Sequence, residues 1–158
     1  MLTIRRAEER DRQTILQISA GVGVFTEEEV ATVDELLESH LYEPEQGDYI
    51  FFVACEEDMV LGFVCFGPTS LTDQTYDLYW IAVGKACHKR GVGRALLEWT
   101  ECYLRESGAR LLVLETSGTP EYEPTRRFYD RMGYDGHLAA RDYYKQGDDL
   151  IVYSKHLR

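Results

Sequence analysis

Positive charge is scarce in this chain. Lys and Arg number 17 against 28 Asp and Glu, for a formal net charge of −11. That balance argues against non-specific binding to nucleic acid and against docking on an anionic membrane, both of which need a cationic surface. It leaves two readings open, a cationic partner or simple solubility. Long apolar runs are missing too, and no stretch approaches the ~20 apolar residues that span a bilayer. The first residues, MLTIRRAEERDR, are charged where a secretory leader would be apolar, so a cytoplasmic protein is expected. Cys55, Cys65, Cys87 and Cys102 form no C-x-x-C pair and have no His at ligand spacing. A metal site therefore has little support, and reduced thiols, mostly buried as small hydrophobes, are expected. Cys55 and Cys65 could face each other across a hairpin. No repeat, low-complexity tract or linker-like shift in composition divides the chain. Its 158 residues suit one domain with one core, spanning 1–158.

The pattern that is present reads as a mixed α/β domain. A first strand covers Leu2 to Arg6, and Asp11 could cap a helix that runs to about Ala20. After the flexible corner GVGVF, Thr26 and Glu29 fit a capping box, and Phe25 and Val30 fit the hydrophobic staple that accompanies it. The helix they open, from Glu27 to about Leu41, carries Val30, Val33, Leu37 and Leu41 on one side. Two apolar runs around Glu56-Glu57-Asp58 make a hairpin. TYDLYWIAV is apolar on both faces, as a central strand should be. From Val92, a stripe of Val92, Leu96, Trp99 and Tyr103 opposes Arg94, Glu98, Glu101 and Arg105 at helical spacing. RLLVLET is a further buried strand. Pro124 suits the first turn of a short helix that Gly133 ends. HLAARDYY and DLIVYSKHL, split by Gln146-Gly147-Asp148, close the chain as a hairpin. The order is β-α-α-β-β-β-α-β-α-β-β, with antiparallel strands in front and one β-α-β crossover in the middle.

The scarce cations gather at one place. Lys85, Lys89, Arg90 and Arg94 surround Gly91 and Gly93 in KACHKRGVGR, between a strand and a helix. A helix N-terminus offers unpaired N–H groups and partial positive charge, and glycine lets a ligand approach the backbone. A pyrophosphate-bearing ligand fits such a corner. The run is not the dinucleotide fingerprint, because Leu96 stands where the third glycine belongs, and it lacks the G-K-[ST] ending of a P-loop. Taken alone, it could also be a tight turn with solvated basic residues.

The longer run WIAVGKACHKRGVGRALL resembles the GCN5-related N-acetyltransferase (GNAT) family, whose signature is an apolar strand followed by [Q/R]-x-x-G-x-[G/A] at the start of a helix. His88 takes the Gln/Arg position, and Lys85 stands where Pro is common. The resemblance continues through LLVLETSGTPEYEPTRRFYDRMGY, where the family has a strand, a loop and a short helix ending F-Y-x-x-x-G-[F/Y]. It implies a GNAT-like acyl-coenzyme A N-acyltransferase fold, a central mixed sheet of about seven strands with flanking helices.

It also implies a chemistry. Acetyl-coenzyme A, the co-substrate, would lie where Tyr76–Val83 and Leu111–Thr116 splay apart. Its pantetheine arm would bond to backbone around Ile81, Ala82 and Val83. Its pyrophosphate would meet the loop of His88, Lys89, Arg90, Gly91, Val92, Gly93 and Arg94, with Phe128 and Tyr129 bordering the site. An amine attacks the thioester directly once it is neutral. An alkyl ammonium has a pKa near ~10, so a base must take its proton, directly or through water. The resemblance offers Glu115 or Asp77 as that base, a backbone N–H near Ile81 for the oxyanion, and Tyr129 as proton donor to the thiolate. Asp77 is expected to share a strand face with Tyr79 and Ile81. The acceptor side would be bounded by GVGVFTEE and RDYYKQGDD, with Phe25, Tyr79, Tyr143 and Tyr144 against the substrate and Glu27, Glu28, Asp148 and Asp149 nearby.

Two functional readings follow. One is an acetyl-coenzyme A-dependent N-acetyltransferase acting on a small-molecule amine or on a peptide or protein amine, with no nucleic acid, membrane or metal partner; a homodimer stays open. The other is a non-catalytic acyl-coenzyme A-binding sensor, which needs the glycine corner but neither Tyr129 nor a base. A Rossmann-type enzyme is disfavoured, since it wants its fingerprint early and a repeated parallel crossover.

Overall fold

The computed structural model describes Met1–Arg158. Its elements are β1 (Leu2–Arg6), α1 (Arg12–Gly21), α2 (Glu27–Tyr42), β2 (Ile50–Glu56), β3 (Met59–Pro68), β4 (Thr75–Val83), α3 (Val92–Glu106), β5 (Leu111–Ser117), α4 (Glu123–Arg131), β6 (Asp135–Lys145) and β7 (Asp148–His156), with short 3-10 turns between some of them. This is the expected order. The strands form one sheet, β1-β2-β3-β4-β5-β7-β6, in which only the β4–β5 contact is parallel.

The sheet carries a core on each face. On one side α1 and α2 place Ile15, Ile18, Val33 and Leu37 against Phe51, Val53, Phe63 and Cys65. On the other, α3 and α4 place Val92, Leu96, Leu97, Leu104 and Tyr129 against Phe52, Val64, Phe66, Leu112 and Leu114. No helix is long and apolar enough to cross a membrane.

Local signals did what their chemistry requires. Thr26 and Glu29 exchange hydrogen bonds with each other's backbone N–H at 3.1 and 3.0 Å, closing the capping box of α2. Gly133 takes a left-handed φ of 87° just past α4. Asp11, expected to cap α1, does something else. It is 3% exposed, and its carboxylate accepts two hydrogen bonds from Arg5 at 2.7 and 2.9 Å and one from the Glu8 N–H at 2.8 Å. The acid ties β1 to the turn before α1 instead of satisfying the helix itself.

Other expectations need correction. Cys55 faces Val60 and Cys65 faces Phe51, so the two thiols are not opposed. All four cysteines are free, and only Cys102 is exposed. Glu101, assigned to the wet stripe of α3, is 5% exposed, because Tyr134 and Lys155 reach it from outside the helix. β4 is less uniformly buried than its sequence suggests, since Tyr79 and Trp80 sit at an irregularity described below.

Candidate active site

The site begins with a break in the sheet. β4 and β5 pair over Thr75–Leu111, Tyr76–Leu112 and Asp77–Val113 only. Past that rung β4 runs on to Val83 and β5 to Ser117 without pairing to each other. A β-bulge accompanies the parting. Cys65 pairs with Trp80 and Phe66 with Leu78, which leaves Tyr79 as an extra residue on β4. Bulges bend a strand and raise its twist.

The bulge also reverses which side chains share a face. Leu78, Ile81 and Val83 pack toward α3 and α4, whereas Trp80 and Ala82 pack toward α1 and α2. Asp77, between Tyr76 and Leu78, therefore lies on the opposite face from Ile81, against expectation. Its carboxylate accepts from the Thr69 hydroxyl at 2.7 Å.

Register shows what the open edge of β4 presents. The Gly84 N–H donates to the Leu61 carbonyl at 2.8 Å, and Gly62 stands opposite Val83. In an antiparallel ladder this makes Gly62–Val83 a pair without mutual hydrogen bonds, and alternation makes Val64–Ile81 another. Ile81 and Val83 thus turn their N–H and C=O away from β3, into the gap. Ala82 turns its backbone to Phe63, so of the three expected residues only its neighbours offer theirs. His88 already uses one of these groups. Its Nε2 lies 2.9 Å from the Val83 carbonyl. A carbonyl only accepts, so Nε2 carries the proton.

At the end of β4 the chain makes the basic bend. Lys89 and Gly91 both have left-handed φ, 68° and 80°, and alternation of this kind turns successive N–H groups into one concavity. The N–H groups of Lys89, Gly91, Val92, Gly93 and Arg94 meet no acceptor within the protein, and α3 has no side-chain cap. Arg90 departs from expectation, because its N–H donates to the Cys87 carbonyl at 3.3 Å. Its guanidinium is held by Glu56 at 2.9 and 3.1 Å, and that of Arg94 by Glu98 at 2.6 Å. Lys85 and Lys89 form no ion pair. Gly93 lies where three elements meet: a Cβ there would stand 3.6 Å from Val83 and 3.8 Å from Phe128.

Tyr129 sits on the α3–α4 side of the splayed strands, 4% exposed. Rings surround it: Phe128 at 5.3 Å and Tyr134 and Tyr153 at 5.7 Å between centroids. Burial pushes its phenol above the ordinary range, so it stays protonated. The Tyr129 hydroxyl has no hydrogen-bond partner in the protein, yet no fully enclosed side-chain oxygen or nitrogen lacks one. The hydroxyl therefore keeps an opening.

On the opposite face, the α1–α2 loop, the end of β5 and the last hairpin converge. Phe25 meets Trp80 edge-on at 5.1 Å, and the Tyr122 hydroxyl donates to the Val24 carbonyl at 3.3 Å. Tyr144 packs perpendicular to Tyr143 at 5.0 Å. Partial burial of its ring, which stays 47% exposed, reinforced by the charge of Glu115, pushes the Tyr144 phenol up to about 12. Burial, reinforced by Glu29 and Asp148, does the same to Tyr122. Glu115 is exposed and its carboxylate has no partner. Tyr79 stands apart from this group, edge-on to Tyr49 at 5.3 Å. Sequence reasoning missed Trp80 and Tyr122. Neither carried a motif, and only the bulge and the loop contact bring them in. No group of three or more His, Cys, Asp or Glu is arranged to hold a metal ion.

Residues 47–135 match the family model described as an acetyltransferase (GNAT) domain. An uncharacterised N-acetyltransferase of Methanocaldococcus jannaschii is 32% identical over 106 residues, a match that spans 66% of this chain and 65% of the relative. Among solved structures, a protein from Desulfovibrio desulfuricans assigned to the acetyltransferases of the GNAT family is 39% identical, with a TM-score of 0.96 over 100% of both chains. The PaiA N-acetyltransferase from Thermoplasma acidophilum, solved in complex with coenzyme A, shares the fold at 15% identity, with a TM-score of 0.75 over 99% of both chains.

Proposed function

The chain belongs to the GNAT family of acetyltransferases, and from that premise we propose that it moves an acetyl group from acetyl-coenzyme A to a primary amine. Five unpartnered amides on a basic bend, beside a strand edge with free backbone groups, carry this reading. The bend suits the pyrophosphate of coenzyme A, with Lys85 and Lys89 as unpaired cations. The Val83 N–H and C=O and the Ile81 C=O suit the amides of the pantetheine arm, which would extend β4 like an added strand and leave the Ile81 N–H to the thioester. The coenzyme A complex of the Thermoplasma relative supports the same ligand.

The thioester then lies in the gap, reached from the other face by the amine. The amine nitrogen forms a bond to the acetyl carbon and the carbon–sulfur bond breaks. The Ile81 N–H is the candidate donor to the developing oxyanion. Glu115 is the better placed base. It stands beyond the parting of the strands with a free carboxylate, whereas Asp77 lies on the last paired rung and is engaged by Thr69. Glu115 takes the proton of the ammonium, directly or through water, Tyr129 gives one to the thiolate, and the second proton, shed by the nitrogen as the amide forms, restores the Tyr129 phenol through water. The acidic and aromatic lining from Glu29, Tyr122, Tyr144 and Asp148 suits an acceptor that arrives as a cation, whether a small molecule or a peptide amine.

Calorimetry with coenzyme A, followed by thiol release over a panel of amines, tests the reading. Binding, and turnover that falls about 100-fold in Tyr129→Phe and in Glu115→Gln but less in Asp77→Asn, is the expected result. Absence of binding overturns it. Tight binding with no turnover on any amine would make the protein a coenzyme sensor instead.

A further inference from the structure

The helical stripe of α3 assigns Glu101 to water, yet its carboxylate sits at a buried junction. Oε2 accepts from the Tyr134 hydroxyl at 2.7 Å and Oε1 from Lys155 Nζ at 2.9 Å. Lys155 Nζ also donates to the Met132 carbonyl at 2.9 Å, at the end of α4, and lies 5.4 Å from the centre of the Tyr134 ring. α3, β7 and the turn from α4 into β6 thus meet at one ion pair, with Glu101 buried and Lys155 partly so.

Stability does not account for such a pair. A partly wet ion pair contributes little net stability, because desolvation of the buried carboxylate offsets much of the attraction. What the junction supplies is position. Tyr134 is 4% exposed, its N–H donates to the Tyr129 carbonyl at 3.0 Å, and its ring lies edge-on to the Tyr129 ring at 5.7 Å. Tyr153 is a second ring at 5.7 Å. Since no protein group holds the Tyr129 hydroxyl, the surrounding rings set where it stands. Departures from local pattern of this kind gather at functional sites.

We propose that Glu101 and Tyr134, tied by Lys155, are positioning residues that fix the Tyr129 phenol for proton donation to the leaving thiolate. The chemical half of this inference rests on the acyltransfer reading; the placement of the ring does not.

The test compares wild type, Tyr134→Phe, Glu101→Gln, Tyr129→Phe and the Tyr129→Phe/Tyr134→Phe double variant, each checked for folding by circular dichroism. Tyr134→Phe keeps the ring and removes only the hydroxyl that Glu101 holds. It is expected to lower kcat about tenfold with KM for both substrates unchanged, because small misplacements of a catalytic group are costly. In the Tyr129→Phe background the same change should have no further effect on kcat. Equal losses in both backgrounds, or a loss confined to KM or to melting temperature, overturn the proposal. A second measurement needs no turnover. In protein labelled with 13Cζ-tyrosine, the Tyr129 resonance is identified by its absence from Tyr129→Phe. It should shift in Tyr134→Phe and in Glu101→Gln, and an unmoved resonance overturns the proposal. A wild type that turns over no amine counts against the acyltransfer reading alone, and the resonance still decides whether the network holds Tyr129.

Discussion

Two glycines separated by one residue in the basic bend carry different physical demands. Gly91 has φ of 80° with open space around its Cβ direction, so its requirement is conformational. Gly93 has no such φ, and an added methyl would sit at ordinary contact distance, 3.6 Å from Val83. Gly91→Ala should therefore cost about 1 kcal/mol and distort the amide concavity. Gly93→Ala should leave the melting temperature unchanged or raise it slightly, since alanine favours a helix. Thermal melts with and without coenzyme A separate the two, and equal damage from both would refute the distinction. His88 makes the next case. Its ring holds the Val83 carbonyl that an incoming amide would need. Removing the ring in His88→Ala should tighten coenzyme A by about fivefold, the worth of one net hydrogen bond of about 1 kcal/mol. Weaker binding in calorimetry would mean that the ring helps hold the ligand. The motif showed that this residue departs from the family pattern, but only the ladder register showed what the departure does.

At the scale of elements, boundaries were legible wherever a side chain answers a nearby backbone group. The capping box at Thr26 and Glu29, the glycine after α4 and the turn at Gly147 all depend on neighbours within a few residues. Thr26→Ala should cost about 1 kcal/mol of stability, read by urea unfolding. Because the α1–α2 loop meets Tyr122 and Trp80, the same change should raise KM for the amine more than for acetyl-coenzyme A. An unchanged amine KM would detach the loop from the acceptor side. What stayed illegible depends on distant partners. Nothing near Asp11 announces that Arg5 will claim it in place of the helix. Nothing in TYDLYWIAV marks Tyr79 as a bulge, and one extra residue was enough to move Asp77 away from the face of Ile81. Apolar content alone identifies the strand; only the bulge decides its faces.

For the whole molecule, the groups displaced from their ordinary titration ranges bound the pH window of stability. His40 joins α2 to two other segments, with Nε2 at 3.1 Å from the Ala7 carbonyl and Nδ1 accepting from the Phe51 N–H at 3.2 Å. Burial holds its pKa below the usual value. An unfolded chain takes up a proton on this ring below pH ~6.5 while the folded one resists, so stability begins to fall there as pH drops, by at most about 1.4 kcal/mol per unit for one group. Asp11 acts lower. Burial raises its pKa, but the Arg5 and Glu8 hydrogen bonds outweigh that and hold it below the usual carboxylate range. Its contribution is present above pH ~3.9 and lost as pH falls through the folded value. On the alkaline side, burial pushes the Cys65 thiol well up, so the unfolded chain ionises first and stability declines above pH ~8.5. Unfolding midpoints in urea should therefore form a plateau between about pH 6.5 and 8.5 with a shoulder on each side. The net charge of −11 works against the acid shoulder, because losing negative charge relieves self-repulsion. That relief follows the carboxylates near pH ~4, well below the histidine step, so the two separate. His40→Gln can still donate to Ala7 and accept from Phe51 but cannot take up the proton. It should flatten the shoulder just below pH ~6.5 and leave the alkaline arm untouched. If the drop below that pH persists in this variant, the acid sensitivity belongs to other groups and His40 is only a packing residue.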